Sequence, residues 1–313
     1  MKILITGSAG FIGSHLAEAL VTSGHEIIGI DSFLPNYARE VKEANISGLL
    51  DNDRFTFMER TLIDPSWLGE IDFDIVVHLA ALPGVRQSWG TSFSDYVENN
   101  VLATQRLLEV LKNRTGVRLV HVSSSSVYGD RDESPLTEDL PPEPISPYAI
   151  TKESAERLVK LYSKQYGLSS VILRLFTVYG PRQRPDMAIY RFIKAVSKGG
   201  EVEIYGSGSM HRDFTFVVDV VRGILSAVER DIRDEIINIG SGRAESVERV
   251  VYMIGEMLGK EVKVRRVGMM PGDVKGTLAS IDKARGLLDY QPGVEIREGI
   301  EKQIIWMREA AII

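Results

Sequence analysis

The feature that most constrains the fold of this chain is a run of three glycines, Gly7, Gly10 and Gly13, directly after the short aliphatic segment Lys2–Thr6. The residues after the glycines are apolar at helical spacing, so the run is predicted to join a buried strand to a helix. Glycines at such a turn let a pyrophosphate approach the backbone and rest on the helix N-terminus. An ordinary glycine-rich turn has the same bare pattern, so neighbouring residues have to decide between the two interpretations.

Asp31 ends the next predicted strand and favours the nucleotide-binding interpretation. A carboxylate in that position can accept hydrogen bonds from both hydroxyls of an adenosine ribose. The same carboxylate would repel a 2′-phosphate. The sequence therefore favours NAD over NADP as the cofactor.

Short aliphatic runs alternate with helical patterns through the first 175 residues, which is typical of an α/β fold. We predict a Rossmann-type doubly wound parallel sheet with helices on both faces, forming an NAD-binding domain at 1–175. The segments shorten after residue 176, which predicts a smaller C-terminal α/β substrate lobe at 176–313. The boundary is left open for a segment near 214–245, which could return to the first domain. The predicted strands are 2–6, 26–30, 55–58, 74–78, 118–122 and 171–175, and the predicted helices are 11–21, 95–112, 147–166, 187–198, 219–229, 247–258 and 297–310.

Composition excludes several classes of protein. The chain has no cysteine, so thiolate chemistry and cysteine-bearing metal sites are ruled out. Its 43 acidic and 37 basic residues argue against general binding to nucleic acid or to an anionic membrane. The five histidines lack metal-ligand spacing, so no metal site is expected. The apolar runs are too short for a signal peptide or a membrane span, and we expect a cytoplasmic protein.

A second group of candidate residues combines a serine run at 123–126, which ends a predicted strand, with Tyr148 and Lys152 on the next helix. A spacing of four places Tyr148 and Lys152 on one helical face, where the ammonium and a nicotinamide charge can lower the phenol pKa from about 10. Tyr190 and Lys194 repeat this pattern without a hydroxyl-rich strand end beside them. We therefore assign the chemistry to Tyr148 and expect Tyr190 to serve packing or the rim of the site.

Together these motifs resemble the extended short-chain dehydrogenase/reductase family over nearly the whole chain. The residues that carry the resemblance lie at 6–15, 78–81, 124–129 and 146–152. The resemblance implies a catalytic triad of Ser124, Tyr148 and Lys152. Thr61 departs from the pattern, because many relatives have an aspartate there against the adenine. The residues implied to bind the cofactor are Gly7, Gly10, Phe11, Ile12, Gly13, Asp31, Leu79, Ala80, Ala81, Asn99, Tyr148, Lys152 and Phe176.

Further motifs at 180–183, 212–214 and 271–273 resemble the nucleotide-sugar epimerases and dehydratases of that family. Ser125 and Ser126 replace the Asp-Glu pair of the sugar-nucleotide 4,6-dehydratases, so the acid and base that eliminate water are missing. Thr177 stands where galactose epimerases usually have asparagine, and its surroundings are similar to UDP-glucuronate 4-epimerases. The substrate contacts that the resemblance implies are Arg86, Ser126, Thr177, Arg184, Met187, Arg212 and Asp273.

The function implied by the resemblance is that of an NAD-dependent isomerase, which inverts C4 of a UDP-uronic acid through a transient 4-keto sugar. Charge supports an acidic substrate independently, because 182–198 carries five basic residues against Asp186 alone. We expect Arg184 and Thr177 to hold the substrate carboxylate. A UDP-glucose 4-epimerase, a UDP-glucuronate decarboxylase and a catalytically silent NAD-binding regulator remain as alternatives.

Relatives pair two of their helices across a dimer interface, which predicts a homodimer built here from the helices at 95–112 and 147–166. Both helices carry wide apolar faces. Burial of these faces within the monomer is the alternative. The candidate interface residues are Val101, Leu102, Leu108, Leu158 and Leu161.

Overall fold

The computed structural model describes residues 1–206 and 210–313. Twelve strands and ten α-helices occupy these residues. The strands are β1 Lys2–Thr6, β2 Glu26–Asp31, β3 Phe55–Glu59, β4 Ile75–His78, β5 Arg118–Ser124, β6 Ser169–Leu175, β7 Thr177–Tyr179, β8 Glu201–Tyr205, β9 His211–Phe216, β10 Glu235–Ile239, β11 Ala244–Ser246 and β12 Lys263–Val267. The helices are α1 Phe11–Thr22, α2 Arg39–Ile46, α3 Phe93–Tyr96, α4 Ala103–Leu111, α5 Pro147–Tyr166, α6 Ala188–Ser197, α7 Val217–Glu229, α8 Val247–Leu258, α9 Asp282–Leu288 and α10 Ile296–Glu309.

Seven strands form one sheet in the order β10-β6-β5-β4-β1-β2-β3. Every neighbouring pair in this sheet is parallel. The predicted Rossmann-type doubly wound sheet is thereby confirmed. The direction in which strands are added reverses between β1 and β4, and a crevice opens at the carboxyl ends of the strands at such a point.

The hydrophobic core lies on both faces of this sheet, because successive side chains of a strand point to opposite sides. Ile3 and Ile5 of β1 pack into a cluster with α1 and α7. Leu4, between them, packs into a second cluster with α4 and α5. Burial on both faces explains why the strands are continuous aliphatic runs in the sequence.

The predicted helix at 95–112 is divided in the structure. A π-helical segment, Val97–Leu102, separates α3 from α4. Hydrophobic periodicity does not reveal such an insertion of one extra residue per turn. Leu108 is fully buried in the core, so its predicted place at a dimer interface is wrong. Leu102 and Leu161, in contrast, are 37% and 50% exposed.

The second lobe has two small sheets, one of β11, β9 and β7 and one of β12 and β8. They pack with α6, α8 and α10 around a third hydrophobic cluster. The segment near 214–245 includes β10, which pairs with β6 at the edge of the large sheet. The division of the chain into domains at residue 175 stays a prediction. No helix in the described ranges combines the length and apolar character that crossing a bilayer requires.

Candidate active site

An open cleft of about 370 Å³ runs along the carboxyl ends of β1, β4 and β5. The glycine run, the end of β4, the serine run and the start of α5 all contribute to its walls. The fold therefore brings residues from distant segments of the sequence to one place, at the point where the strand order of the large sheet reverses. The predicted cofactor-binding residues that line the cleft are Gly7, Gly10, Phe11, Ile12, Gly13, Asp31, Leu79, Ala80, Ala81, Asn99, Tyr148, Lys152 and Phe176.

The glycine turn is shaped to hold a pyrophosphate. Gly7 has a φ of +75°, and its N–H donates to Ile30 O at 2.8 Å. A Cβ on Gly13 would lie 2.1 Å from Gly7 O, so a side chain there would push the helix away from the turn. Gly10 caps α1 without a side chain, and Ser14 donates the first helical hydrogen bond, to Gly10 O. The N–H groups of Phe11, Ile12 and Gly13 precede this bond in the first turn of α1 and are therefore available to an anion in the cleft.

Asp31 ends β2 and lines the same cleft. Its Oδ1 accepts the Phe33 N–H at 2.8 Å, and Lys42 Nζ lies 3.9 Å from the same oxygen. Burial raises the pKa of Asp31 above its ordinary value, while Lys42 and backbone N–H groups lower it. Thr61 lines the cleft as well, and its hydroxyl accepts the Ile63 N–H at 3.1 Å. This end of the cleft suits a ribose, whose hydroxyls would donate to the Asp31 carboxylate.

Ser124 lies at the end of β5, where the 3₁₀ turn Ser125–Tyr128 begins. Its Oγ accepts the Ser126 N–H at 3.2 Å and donates to Ser126 Oγ at 3.1 Å. Both serines and Ser125 line the cleft. The tight turn after the strand therefore places three hydroxyls together at the cleft wall.

Tyr148 lies in the first turn of α5, and two serines fix that turn. Ser146 caps the helix with its side chain, and Ser88 Oγ accepts the Tyr148 N–H at 3.0 Å. Burial raises the pKa of Tyr148, and the Ser124 hydroxyl and Arg184 oppose this to a smaller extent. The protein groups alone therefore favour the neutral phenol. The lowering of this pKa that the sequence predicts needs additional positive charge in the cleft.

Lys152 lies one turn after Tyr148 on α5. Its Nζ is buried and donates to Val122 O at 2.7 Å. Burial lowers the pKa of Lys152 to about 8, although Glu156 acts in the opposite direction. An ammonium has three N–H donors, so one backbone bond leaves two for groups in the cleft.

The predicted substrate residues that line the cleft are Ser126, Thr177, Arg184 and Met187. Arg184 does not present a free guanidinium, because its Nε and Nη2 each donate to Asp186 at 3.0 Å. Arg182 and Arg191 are paired with acidic residues of other elements. Three of the five basic residues of 182–198 are therefore paired with carboxylates, and this charge supports an acidic substrate less strongly than the sequence suggested.

The other three predicted substrate residues, Arg86, Arg212 and Asp273, form a second cluster outside the cleft wall. Arg86 donates to the Asp273 carboxylate at 3.1 to 3.2 Å, and its guanidinium lies 3.5 Å from the centre of the Tyr205 ring. Arg212 donates to Val274 O at 2.8 Å, and burial lowers its pKa. A ligand that touched both the cleft wall and this cluster would bridge the two lobes.

Two buried polar residues that the sequence analysis missed, Asn100 and Tyr96, hold a loop in the cleft wall. Asn100 accepts the Leu82 N–H at 2.6 Å and donates to Leu82 O and Thr151 Oγ1, both at 3.0 Å. The Tyr96 hydroxyl lies 3.0 Å from two successive loop carbonyl oxygens. An amide on the buried face of an otherwise apolar helix is the signal that could have identified Asn100.

Two buried histidines lie close to Lys152. His78 contacts Thr6 Oγ1 at 2.8 Å and Thr104 Oγ1 at 3.0 Å, so both nitrogens of its buried imidazole are hydrogen-bonded. His121 differs, because neither of its ring nitrogens has a hydrogen-bond partner in the described part of the chain. Burial lowers the pKa of His78 to about 3 and that of His121 well below its ordinary value. The described residues contain no group of three or more His, Asp or Glu that could hold a metal ion.

Comparison with known proteins gives consistent matches over the whole chain. A family model described as the NAD dependent epimerase/dehydratase family matches residues 3–240. An uncharacterized UDP-glucose epimerase of Bacillus subtilis is 40% identical over 310 residues, which cover 98% of each chain. The UDP-glucuronate 4-epimerase of Thermodesulfobacterium geofontis is 36% identical over 312 residues, 98% of this chain and 96% of the other. The crystal structure of UDP-glucuronic acid 4-epimerase from Bacillus cereus, in complex with UDP-glucuronic acid and NAD, has a TM-score of 0.95 and 42% identity, covering 99% of this chain and 100% of that one.

Proposed function

Because the chain belongs to the NAD dependent epimerase/dehydratase family, we propose that it is a 4-epimerase that interconverts UDP-glucuronate and UDP-galacturonate. The observation that carries the proposal is the presence of Ser124, Tyr148 and Lys152 in one cleft with the glycine turn and Asp31. Similarity to two UDP-glucuronate 4-epimerases supports the choice of substrate.

The residues of the cleft fit the cofactor NAD. The glycine turn and the N-terminus of α1 would hold the pyrophosphate, Asp31 would accept hydrogen bonds from the adenosine ribose, and Lys152 would donate to the nicotinamide ribose. Bound NAD⁺ supplies a hydride acceptor that gives the hydride back within the same cycle, so no external oxidant is consumed.

Tyr148 is the proposed acid and base. Its Oη would take the proton of the substrate 4-hydroxyl as C4 is oxidised to a ketone, and would return that proton to the same oxygen when C4 is reduced on its other face. Ser124 Oγ would hydrogen-bond to this oxygen, and the Lys152 ammonium would stabilise the Tyr148 phenolate. Between the two steps the keto sugar has to turn over about its diphosphate linkage. The product is the C4 epimer, with no net change in oxidation state.

Thr177 and Arg184 are the proposed contacts of the substrate carboxylate. The 4-keto intermediate is a β-keto acid. It loses CO₂ when the C5–C6 bond, which joins the carboxylate to the sugar ring, stands perpendicular to the plane of the C4 carbonyl. Two fixed donors that hold this bond near the plane would prevent the loss. Since Asp186 already binds Arg184, the substrate carboxylate has to share or displace that partner.

The Arg184–Asp186 pair also favours a second candidate, a UDP-glucose 4-epimerase. A neutralised Arg184 offers less attraction to a uronate and less hindrance to a neutral hydroxymethyl group. The Bacillus subtilis relative is described as a UDP-glucose epimerase. Both candidates use the same C4 chemistry at Tyr148 and differ only at C6 of the sugar.

The test is incubation of the NAD-loaded protein with UDP-glucuronate, UDP-glucose or UDP-N-acetylglucosamine, followed by chromatographic identification of the products. We expect UDP-galacturonate from UDP-glucuronate, and a loss of at least ~100-fold in rate for Tyr148→Phe. Tyr190→Phe is the matched control, because Tyr190 is buried in the second lobe and should tolerate the change. UDP-galactose as the only product would favour the second candidate. A UDP-pentose with CO₂ would indicate a decarboxylase, and bound NAD without any turnover would indicate a regulator.

We also propose that the protein is a homodimer, joined through α3, α4 and α5. The turns before α3, α3 itself, the π-helical segment and α5 leave a number of apolar side chains exposed that is large for one side of a monomer. Leu102 and Leu161, which the sequence analysis singled out, are among them. The exposed set is Trp89, Phe93, Val97, Leu102, Ile150, Leu161 and Tyr166.

A further inference from the structure

A buried ion pair lies directly behind the proposed catalytic residues. Arg174 on β6 donates to Glu156 on α5 through Nε at 3.0 Å and through Nη2 at 2.7 Å. The two side chains are only 2% and 4% exposed. Burying two charges is costly unless they are paired and fully hydrogen-bonded, so a pair in this position calls for a reason beyond packing.

Glu156, the negatively charged member of the pair, connects α5 to β5 beside the proposed catalytic residues. Glu156 lies one turn after Lys152 and two turns after Tyr148 on the same helix. Ser123 Oγ donates to Glu156 Oε1 at 2.5 Å, while Lys152 Nζ donates to Val122 O at 2.7 Å. Two successive residues of β5 are therefore fixed to two successive turns of α5, and Ser124 follows them directly.

Arg174, the positively charged member of the ion pair, is held in place by the sheet. In the strand register, Arg174 lies opposite Ser123 on β5 and opposite Asn238 on β10. Its guanidinium lies 4.7 Å from the centre of the Tyr128 ring, and the Tyr128 hydroxyl donates to Asn238 Oδ1 at 2.7 Å. Arg174 thus has a fixed position from which it holds the Glu156 carboxylate.

The charges around Lys152 and Tyr148 come from several elements. His78 on β4 and His121 on β5 face Lys152, and both are neutral because burial lowers their pKa values. Arg184, itself bound to Asp186, acts on Tyr148 from the loop after β7, and the neutral Tyr96 ring packs edge-on against Tyr148. Glu156 is the carboxylate that acts on Lys152, and Arg174 offsets its charge.

We propose that Glu156 and Arg174 are positioning residues for the epimerase reaction, which fix α5 against β5 and balance the charge that Tyr148 and Lys152 experience. This rests on the proposed roles of Tyr148 and Lys152. Arg174 keeps the Glu156 carboxylate bound to β5, so that it does not form an ion pair with Lys152 one turn away. The Lys152 ammonium then stays free for Tyr148 and for the cofactor ribose.

The test is to remove the charge at constant shape with Glu156→Gln and to titrate Tyr148 in the NAD-bound protein. The phenolate is followed by near-ultraviolet absorbance, with the Tyr148→Phe protein subtracted. Loss of the negative charge leaves Arg174 uncompensated, which lowers the pKa of both Tyr148 and Lys152. We expect the Tyr148 titration, and with it the pH profile of kcat, to move to lower pH by about 0.5 to 1 pH unit.

Two variants serve as controls. One removes a carboxylate at another position of α5, and the other removes both charges of the buried ion pair. Glu153→Gln makes the same change on the same helix, in the pair that Glu153 forms with the exposed Arg157, and should leave the titration in place. Glu156→Gln combined with Arg174→Met removes both charges and should return the titration toward that of the wild-type protein. A titration that stays in place in Glu156→Gln, or moves equally in Glu153→Gln, would overturn the proposal.

Position is tested separately with Glu156→Asp, which also serves if Glu156→Gln does not fold. Aspartate keeps the charge but draws the carboxylate away from Ser123, so kcat should fall several-fold with the KM and the Tyr148 titration unchanged. A wild-type kcat in Glu156→Asp would contradict the positioning role. The Tyr148 titration needs no turnover, so it can be measured even if the substrate is not a UDP-uronic acid. Failure of the epimerase proposal is thereby distinguishable from failure of this one.

Discussion

Arg184 is the residue that the proposed function makes decisive for the choice of sugar, because it lines the cleft and already binds the Asp186 carboxylate. If it holds the C6 carboxylate, Arg184→Ala should lower kcat/KM for UDP-glucuronate by roughly 1.5 to 3 kcal/mol, or about 10- to 150-fold. UDP-glucose, which has a neutral group at C6, should lose far less. Measuring kcat/KM for both substrates on the variant gives the comparison.

The control for this prediction is Arg191→Ala, since Arg191 is a half-exposed arginine of the same lobe whose partner is Glu203. Arg191→Ala should leave kcat/KM unchanged for both substrates. Equal losses for both sugars in Arg184→Ala would mean that Arg184 binds the diphosphate or only stabilises the loop. The proposed C4 chemistry would be unaffected by that result.

Burying the Lys152 ammonium lowers the free energy of unfolding by an amount that depends on pH. Its pKa is about 8 in the folded protein against an ordinary 10.5, so between these values the unfolded chain binds more protons than the native one. The free energy of unfolding contributed by Lys152 therefore rises as the pH increases from about 8 to 10.5. Lys152→Met lacks this contribution, and the stability of wild type relative to the variant should improve across that range.

Denaturant unfolding of both proteins at several pH values measures this difference. Lys160→Met on the exposed side of α5 is the control and should follow the wild-type curve. A constant difference between wild type and Lys152→Met from pH 8 to 10.5 would show that Lys152 remains charged throughout the range.

Among the elements, the helical region from α3 through the π segment to α4 carries the least predictable part of the site. Its apolar residues were sufficient to predict a helix, but the π segment changes which side chains face inward. Asn99 was chosen from the resemblance, and it lines the cleft. Its neighbour Asn100 makes three hydrogen bonds inside the protein, to Leu82 and Thr151. A register set by tertiary contacts is not encoded in local periodicity.

Asn100→Ala should therefore destabilise the protein by about 1 to 3 kcal/mol, because it leaves the partly buried Leu82 N–H and C=O without their partner. It should also reduce NAD affinity, since the loop after Leu82 forms part of the cleft wall. Asn99→Ala removes one hydrogen bond, to Asp95 O, and should cost less in stability. Chemical denaturation of the two variants tests this order, and equal stabilities would contradict it.

The first six strands of the large sheet were the most predictable elements, for a physical reason, whereas its seventh strand, β10, is not among the predicted strands. Strands such as β1 and β4 are buried on both faces, so they appear as unbroken aliphatic runs. The strands β7 and β11 have three residues each, too few to show a period, and neither they nor the longer strands β8, β9 and β12 of the second lobe are among the predicted strands. Tyr205, which stacks on Arg86, ends β8, and only the folded chain brings the two residues together. Counting charges along 182–198 includes Asp186, the partner of Arg184, but not Glu18 and Glu203, which other elements supply to Arg182 and Arg191.

For the whole molecule, the exposed apolar side chains of α3, the π-helical segment and α5 predict a dimer that a single charge should disrupt. Leu161→Asp places a carboxylate at a residue that is 50% exposed in one chain. We expect the wild-type protein to have a dimeric mass by light scattering at micromolar concentration and the variant to be monomeric. Tyr252→Asp, at a 48% exposed residue of α8, should leave the mass unchanged. A monomeric wild-type protein would contradict the proposal directly.

The return of the chain to the large sheet has a consequence for how the protein is made. β6 ends at Leu175, but the strand that covers its outer edge, β10, begins only at Glu235. A nascent chain leaving the ribosome therefore carries an uncovered row of N–H and C=O groups along β6 while the second lobe is being synthesised. The same edge would be left bare in a recombinant fragment cut at residue 175, and such a fragment would tend to aggregate. An expression clone for the nucleotide-binding unit has to extend through β10, which brings most of the second lobe with it.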